Sequence, residues 1–137
     1  MKEKILVTGA GGQLGMTLRE LFNDSDSFDF QFYTKAELDI LDSTRLQILF
    51  ESIDFKYCIN CAGYTNVEKA EKTPEMAYAV NADAVRLLSE LCLKHDVTLI
   101  HISTDYVFDG NKNEPYEISD VPNPINEYGK SKLQGEE

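Results

Sequence analysis

A tyrosine and a lysine near the end of the chain have the types and spacing of a proton-transfer pair. Tyr128 and Lys132 are four residues apart, and on a helix this spacing places both side chains on one face. A free tyrosine has a pKa of about 10, which a neighbouring ammonium group lowers. The pair therefore predicts a group that exchanges the proton accompanying a hydride transfer. The alternative interpretation is an incidental pair on a helix surface.

A glycine-rich turn at residues 9–15 is the second chemical signal. Gly9 lets the chain reverse, Gly12 lets backbone N–H groups approach a phosphate, and Gly15 permits close helix packing. The apolar run Ile5-Leu6-Val7 precedes the turn, and an apolar pattern of helical period comes after it. This context favours binding of a cofactor pyrophosphate at the helix N-terminus, with a plain loop as the alternative.

The residues after the second apolar run bear on which dinucleotide is bound. The run Phe32-Tyr33-Thr34-Lys35 contains no acidic residue for an adenosine ribose, so strict NAD selectivity is not predicted. Lys35 favours a 2′-phosphate and hence NADP, although a solvated surface lysine is the simpler reading. Asp39 is a candidate acceptor for the adenine amino group, or else an exposed turn carboxylate.

Two hydroxyl residues, Ser103 and Thr104, close the fourth apolar run. A hydroxyl group there could hydrogen-bond a substrate carbonyl and position it for hydride attack. Capping or turn formation is the alternative role for such a side chain.

The elements that must position these groups alternate between strand and helix. Strands are predicted at residues 5–7, 28–33, 57–62 and 98–102. A helix comes after the glycine turn, a second has Ser43 as its N-cap, a long one runs from Pro74 to about residue 94, and a last one begins near Glu127. This order predicts an α/β fold with a Rossmann-like doubly wound parallel sheet. Gly9, Ala62-Gly63 and Ser103-Thr104 are expected to converge at its carboxyl edge.

Length and charge limit the possible functions. The 137 residues fit one dinucleotide-binding domain, 1–137, that looks truncated before a substrate domain. The 24 acidic and 13 basic residues give a net charge of -11, which argues against nucleic acid or an anionic membrane as partner. No signal peptide or membrane-spanning run is visible, and the odd number of cysteines is typical of reduced thiols in the cytoplasm. Cys58 and Cys61 are expected to be structural, and no metal site is predicted.

Four segments resemble the extended short-chain dehydrogenase/reductase family over nearly the whole chain. They are Val7-Thr8-Gly9-Ala10-Gly11-Gly12-Gln13-Leu14-Gly15, the run from Asn60 to Glu71, Ser103-Thr104-Asp105-Tyr106-Val107-Phe108-Asp109-Gly110, and Tyr128-Gly129-Lys130-Ser131-Lys132. The resemblance implies an enzyme that uses NADPH or NADH to reduce a keto group of a nucleotide sugar. It is compatible with a homodimer of a longer protein.

By the same resemblance, Tyr128 would donate the proton, Lys132 would lower its pKa and hold the nicotinamide ribose, and Thr104 would hydrogen-bond the reacting oxygen. Asp105 and Tyr106 would contact the sugar nucleotide. The implied cofactor contacts beyond these are Gly9, Gly12, Gln13, Leu14 and Gly15 at the pyrophosphate, Asp39 and Ile40 at the adenine, and Gly63, Tyr64 and Thr65 near the nicotinamide. Asn81 resembles a structural helix asparagine of the family.

Departures from the family pattern leave alternatives open. Members are expected to be about twice this length by domain size, so the chain alone is expected to be inactive. Gly63 and Tyr64 stand where alanine and histidine are common, which leaves the reductase subgroup open. Tyr106 replaces the glutamate of the related dehydratases, whereas a 4-epimerase is less well excluded. A non-catalytic subunit, like the regulatory subunit of methionine adenosyltransferase, would keep the same fold without turnover.

Overall fold

The computed structural model describes residues 1–137 as two compact units. The first unit comprises Met1–Gly63 and Ala84–Ile102, and the second comprises Tyr64–Asp83 and Ser103–Glu137. The assignment of residues 1–137 to a single domain stays a prediction.

The first unit is built on a four-stranded parallel sheet. Its strands are β1 (Glu3–Thr8), β2 (Phe28–Phe32), β3 (Phe55–Asn60) and β4 (Thr98–His101), in the spatial order β2-β1-β3-β4. The strand order reverses at β1, which lies between β2 and β3, and such a reversal is the switch point of doubly wound sheets. The predicted α/β class with a parallel sheet is confirmed.

Six α-helices lie between and after the strands: one follows β1, one follows β2, three follow β3 and one follows β4. They are α1 (Gln13–Phe22), α2 (Ser43–Ser52), α3 (Val67–Lys72), α4 (Pro74–Tyr78), α5 (Ala84–Lys94) and α6 (Glu127–Glu136). None of them combines the length and the apolar character needed to span a bilayer.

The two faces of the sheet carry different helices. On one face, Leu46 of α2 and Leu88 of α5 join Leu6 of β1 in a fully buried core, where each side chain contributes about 1.5–3 kcal/mol. On the other face, Phe22 of α1 stacks on Phe30 of β2 with ring centroids 5.3 Å apart. The sheet is therefore held by hydrophobic burial on both sides.

The second unit consists mainly of helices and loops. The predicted long helix begins at Pro74 as expected, but residues Ala79–Asp83 widen into a π-helix before α5 begins. Helix α3 was not predicted, because its six residues are too short and too charged for a hydrophobic period. Asn66 begins it by accepting a hydrogen bond from the backbone N–H of Lys69 at 2.9 Å.

The predicted bounds of all four strands and the N-cap of α2 differ from the structure by one or two residues. The N-cap of α2 is Asp42 rather than Ser43, since the Asp42 carboxylate accepts the Arg45 N–H at 3.0 Å. Strand β3 ends at Asn60 instead of residue 62. The Asn60 amide oxygen accepts hydrogen bonds from the hydroxyl of Thr8 at 2.6 Å and the N–H of Ala62 at 3.2 Å, which turns the chain out of the strand.

Candidate functional site

In the glycine turn of the first unit, Gly9 and Gly15 are required by packing. Gly9 has a φ of 65°, and a Cβ atom there would overlap the backbone of Ala62. A Cβ on Gly15 would lie 2.5 Å from the Cα of Ala10. Both glycines therefore let the turn between β1 and α1 lie directly against neighbouring backbone.

Gly12 differs, because nothing in the protein requires a glycine there. It is the N-cap of α1, with an extended backbone and no side-chain cap, and a Cβ on it would meet only the Gly9 carbonyl oxygen, at 3.4 Å. Gln13 and Leu14 beside it are exposed. The N–H groups at the start of this ten-residue helix are thus open to an anion, which the helix dipole favours. These residues fit a dinucleotide pyrophosphate.

The segment after β2 holds the candidate adenosine residues of the first unit. Lys35 lies 3.9 Å from the Asp39 carboxylate and is exposed over 76% of its side chain, so a phosphate could reach it. Asp39 also accepts the Leu41 N–H at 3.0 Å, which fixes the turn, and Ile40 is buried.

The carboxylate of Glu37 lies near the end of β2, although no acidic residue directly follows the strand in the sequence. The Glu37 carboxylate folds back and accepts both the N–H and the hydroxyl of Thr34, each at 2.8 Å. These hydrogen bonds lower the pKa of Glu37 and keep it ionised. Sequence reasoning missed this residue because it lies beyond the strand and reaches its end only through the turn.

The second unit brings Tyr64 and Tyr128 into one buried hydrogen-bond network. The Asn81 side chain accepts the Tyr64 N–H at 2.8 Å and donates to the Tyr64 carbonyl at 2.9 Å. It also donates to the Ser131 hydroxyl at 3.0 Å, and Ser131 donates to the Tyr128 carbonyl at 2.7 Å. Asn81 and Ser131 are almost fully buried, so the network fixes the loop at Tyr64 and Thr65 against α6.

Tyr128 and Lys132 both lie in α6 at the predicted spacing. Lys132 is only 5% exposed, and this burial lowers the pKa of its ammonium group, while the nearby Glu136 carboxylate opposes that shift. Tyr128 is half-buried, and its ring lies edge-on to that of Tyr106 with centroids 5.5 Å apart. The helix thus presents a phenol close to a candidate substrate residue.

The hydroxyl groups at residues 103 and 104 have partners within the second unit. Ser103 donates to the Glu136 carboxylate in a short hydrogen bond. Thr104 caps the 3-10 turn Asp105–Val107, accepting the Tyr106 N–H at 3.3 Å and donating to the Asp105 carboxylate at 3.3 Å. The capping role foreseen as the alternative therefore occurs, and its long hydrogen bonds leave the Thr104 proton weakly held.

Three residues that position α6 were missed by the sequence reasoning. Asn126 caps the helix by accepting the Gly129 N–H at 2.7 Å, and the Glu127 N–H donates to Glu71 at 2.6 Å. A Cβ on Gly129 would overlap the Tyr106 carbonyl oxygen, so only glycine lets α6 approach this turn. The asparagine three residues before the glycine was a readable N-cap signal.

Cys58 and Cys61, the two cysteines of the C-x-x-C pattern, have different surroundings in the structure. Cys58 is buried in β3 and shares a hydrogen bond with Cys92 of α5, which together with burial raises the pKa of the Cys58 thiol. Cys61 lies just beyond the strand and is half-buried. No group of three or more histidine, cysteine or acidic side chains is arranged to hold a metal ion.

Comparison with known proteins gives one consistent family. The profile described as the RmlD substrate binding domain matches residues 2–137. The dTDP-4-dehydrorhamnose reductase of Aggregatibacter actinomycetemcomitans is 40% identical over 97% of this chain and 45% of its own length. A probable low-salt glycan biosynthesis reductase of Haloferax volcanii is 42% identical over 95% of this chain and 46% of its own.

Solved structures agree with the sequence relatives. The dTDP-4-dehydrorhamnose reductase of Bacillus anthracis in complex with NADP superposes with a TM-score of 0.95 at 40% identity, covering 99% of this chain and 48% of that one. This similarity confirms the Rossmann-like fold class. The chain spans about half the length of the relatives it matches.

Proposed function

This chain belongs to the RmlD substrate binding domain family, and from that membership we propose that it is the cofactor-binding and proton-transferring part of a reductase. The reaction is reduction of the 4-keto group of dTDP-4-dehydro-L-rhamnose to dTDP-L-rhamnose. This step belongs to nucleotide-sugar synthesis for cell-surface polysaccharide, and the proposed compartment is the cytoplasm. The named reductases among the relatives support this reaction class.

The observation that carries the proposal is the open N-terminus of α1. Gly12 leaves that helix end without a side-chain cap although no packing contact demands glycine. An anionic ligand accounts for it, and the B. anthracis relative was solved with NADP. The N–H groups of Gln13 and Leu14 bind the pyrophosphate, and it lies against the backbone of Gly12, whose own N–H donates to the Gly9 carbonyl at 3.0 Å. Lys35 binds a 2′-phosphate, which favours NADPH over NADH.

The remaining cofactor contacts follow the family pattern. Asp39 and Ile40 contact the adenine, and Gly63, Tyr64 and Thr65 lie on the nicotinamide side. The bound dinucleotide supplies the hydride. The Asn81 bridge keeps the Tyr64 loop in one conformation, which reduces the ordering cost of binding.

Tyr128 is the proton donor. Its hydroxyl gives its proton to the sugar oxygen as negative charge develops there. Lys132, held by burial in α6, stabilises the resulting phenolate and hydrogen-bonds the nicotinamide ribose. Gly129 sets how closely the tyrosine approaches Tyr106.

Thr104 orients the sugar. Its oxygen accepts the Tyr106 N–H through a lone pair, so its proton remains available to the reacting oxygen of the substrate. Asp105 and Tyr106 are exposed beside it and contact the sugar nucleotide. Substrate binding replaces the weak Thr104 to Asp105 hydrogen bond with one to the keto group.

The test has two parts, because binding and turnover are separable. The chain is titrated calorimetrically with NADPH and NADH, and saturable binding with tighter NADPH binding is expected. A chimera is then made in which this chain replaces the segment of the Aggregatibacter reductase that it matches. Oxidation of NADPH dependent on dTDP-4-dehydro-L-rhamnose supports the reaction, and a chimera that binds NADPH but reduces no nucleotide sugar contradicts it.

A further inference from the structure

Ser103 is the hydroxyl residue beside Thr104 that the proposed reaction leaves without a role. Its side chain donates a hydrogen bond to the carboxylate of Glu136, a residue of α6 that lies 33 positions later in the chain. Both partners belong to the second unit. The bond therefore ties the segment that carries Thr104 to the helix that carries Tyr128 and Lys132.

This hydrogen bond gives the Glu136 side chain one orientation. A glutamate at a protein surface is free to change rotamer, and fixing it costs conformational entropy. Hydrogen bonds to a carboxylate are stronger than those between neutral groups, so the Ser103 hydroxyl offsets that cost. The Glu136 carboxylate is thus a fixed negative charge, although the residue is exposed.

The fixed carboxylate lies on the same side of α6 as Lys132. The two residues are four positions apart, and on a helix this spacing places their side chains on one face with the Cβ atoms about 5–6 Å apart. Tyr128 lies four positions before Lys132 and on that face as well. A phenol, an ammonium group and a carboxylate therefore follow one another along α6.

Burial makes the charge of Lys132 depend on a nearby carboxylate. The residue is 5% exposed, and burial lowers the pKa of its ammonium group, so that the neutral form becomes easier to reach. The charge of Glu136 acts in the opposite direction. The proposed reaction requires the charged form, because a neutral amine would not stabilise the Tyr128 phenolate in the same way.

Other charged groups surround α6 without replacing Glu136. The elements packed against this helix are α3, α4, the π-helical turn and the 3-10 turn. Their charged side chains are all exposed, the acidic ones being Glu68, Glu71, Glu75, Asp83 and Asp105 and the basic ones Lys69 and Lys72. On α6 itself, Glu127 and Lys130 pair with each other at 2.7 Å. The charge that raises the pKa of Lys132 is that of Glu136.

We propose that Ser103 and Glu136 are positioning residues for Lys132. The serine hydroxyl holds the Glu136 carboxylate in place, and this carboxylate keeps the Lys132 ammonium group charged beside Tyr128. Neither residue touches the sugar or the dinucleotide, so the role differs from the substrate contact that the sequence suggested for Ser103. It rests on the proposed proton transfer from Tyr128.

The first experiment follows the protonation of Lys132 without any need for turnover. The chimera is labelled with carbon-13 at the lysine ε-carbons, and the Lys132 signal is assigned by its absence in Lys132→Met. Glu136→Gln removes the charge but keeps an oxygen that accepts the Ser103 hydroxyl. It is expected to lower the pH at which Lys132 loses its proton by about half a pH unit.

Glu137→Gln is the matched control for this titration. It makes the same change on the next residue, about 100° around the helix, and should leave the Lys132 titration where it is in the wild type. Equal displacements in the two variants would mean that any nearby charge has this effect, and no displacement in Glu136→Gln would mean that the carboxylate does not act on Lys132. Either result would overturn the proposal.

The pH dependence of turnover shows whether the pair acts on the reaction. In Glu136→Gln the alkaline limb of kcat is expected to move to lower pH with the KM for NADPH unchanged, while the acid side matches the wild type because Lys132 is charged there in both. An unmoved alkaline limb would contradict the proposal. If the chimera reduces no nucleotide sugar, the proposed function fails, and the Lys132 titration still decides whether Glu136 acts on this lysine.

Ser103→Ala distinguishes a positioning role from a direct contact with the substrate. A serine that acts through the carboxylate should displace the Lys132 titration in the same direction as Glu136→Gln, and should add nothing when residue 136 is already changed. Ser103→Ala also provides a second test if Glu136→Gln fails to fold. An equal loss of turnover from Ser103→Ala in the wild type and in Glu136→Gln would show that the hydroxyl acts independently, which would overturn the proposal.

Discussion

The candidate sites of the two units differ in whether backbone groups or side chains form them. In the first unit the site is mostly backbone, with glycines and an uncapped helix end offering N–H groups. In the second unit it is a network of side chains, in which Asn81, Ser131 and the α6 cap hold Tyr128 and Lys132. The first site can therefore be predicted from the spacing of its glycines. The second site cannot be predicted in this way, because its hydrogen-bond partners lie far apart in the sequence.

The largest expected difference between the two units concerns chemistry. In the chimera, Tyr128→Phe is expected to lower turnover by about 10²–10⁴-fold, the usual contribution of a positioned acid. NADPH affinity should stay unchanged, because the proposed phosphate contacts all lie in the first unit. Stopped-flow turnover and calorimetry measure the two quantities. Tyr57→Phe on β3 is the control with the same change in atoms, and a substantial loss of NADPH affinity in Tyr128→Phe would contradict the division of roles.

Within the first unit, Gly9 and Gly12 are expected to respond differently to substitution. Gly9→Ala forces a side chain into a left-handed backbone and against Ala62, so a loss of about 2–4 kcal/mol in the free energy of unfolding is expected. Gly12→Ala should change that free energy by less than about 1 kcal/mol, since its Cβ has room. It should nevertheless weaken NADPH binding at least about tenfold.

Urea unfolding and calorimetry of both variants provide the check. Equal stability losses in the two glycine variants would mean that Gly12 is a packing glycine like Gly9. A bound anion at the start of α1 would then no longer be needed to explain that glycine.

The loop at Tyr64 in the second unit should depend on the side-chain amide of Asn81. Asn81→Leu leaves the Tyr64 N–H and carbonyl without their partner, at a cost of about 1–3 kcal/mol for each buried group that stays unpaired. Amide hydrogen exchange should speed up at Tyr64 more than at β1 or β3. Asn111→Ala, in the loop between β4 and α6, serves as the comparison, and equal protection at Tyr64 in both variants would exclude the bridging role.

The smallest expected effect lies in the loop of the second unit. Asp109 accepts the Asn111 N–H at 2.9 Å, and this bond, together with the weaker influence of Asn123, lowers the pKa of its carboxyl group. A group whose pKa is lowered by folding stabilises the folded state above its ordinary pKa, and that stabilisation is lost as pH falls through the folded value. Asp109→Asn should therefore loosen the loop near neutral pH and match the wild type in acid. Amide shifts of Asn111 over a pH titration test this, and a difference that persists in acid would contradict it.

Periodicity and glycine spacing were enough to predict much of the first unit and the last helix. The four strands and helices α1, α2 and α6 were predicted from such patterns. Gly9 has the positive φ that suits the predicted chain reversal, and Gly15 has the close packing expected of it. The π-helix was not predicted, because Ala79–Asp83 contains no helix breaker and the widening accompanies tertiary hydrogen bonds of Asn81. Glu37 was missed for a similar reason, since only the folded turn brings it back to Thr34.

The π-helical turn makes this part of the chain sensitive to the deletion of a single residue. A π-turn holds about one residue more than an α-turn, so deletion of one residue between 79 and 83 would yield a regular α-helix. The Asn81 amide would then be rotated by about 100° around the helix axis and would lose its hydrogen bonds to Tyr64 and Ser131. A one-residue gap at this place in an aligned homologue would therefore identify a lineage that has abandoned the bridge.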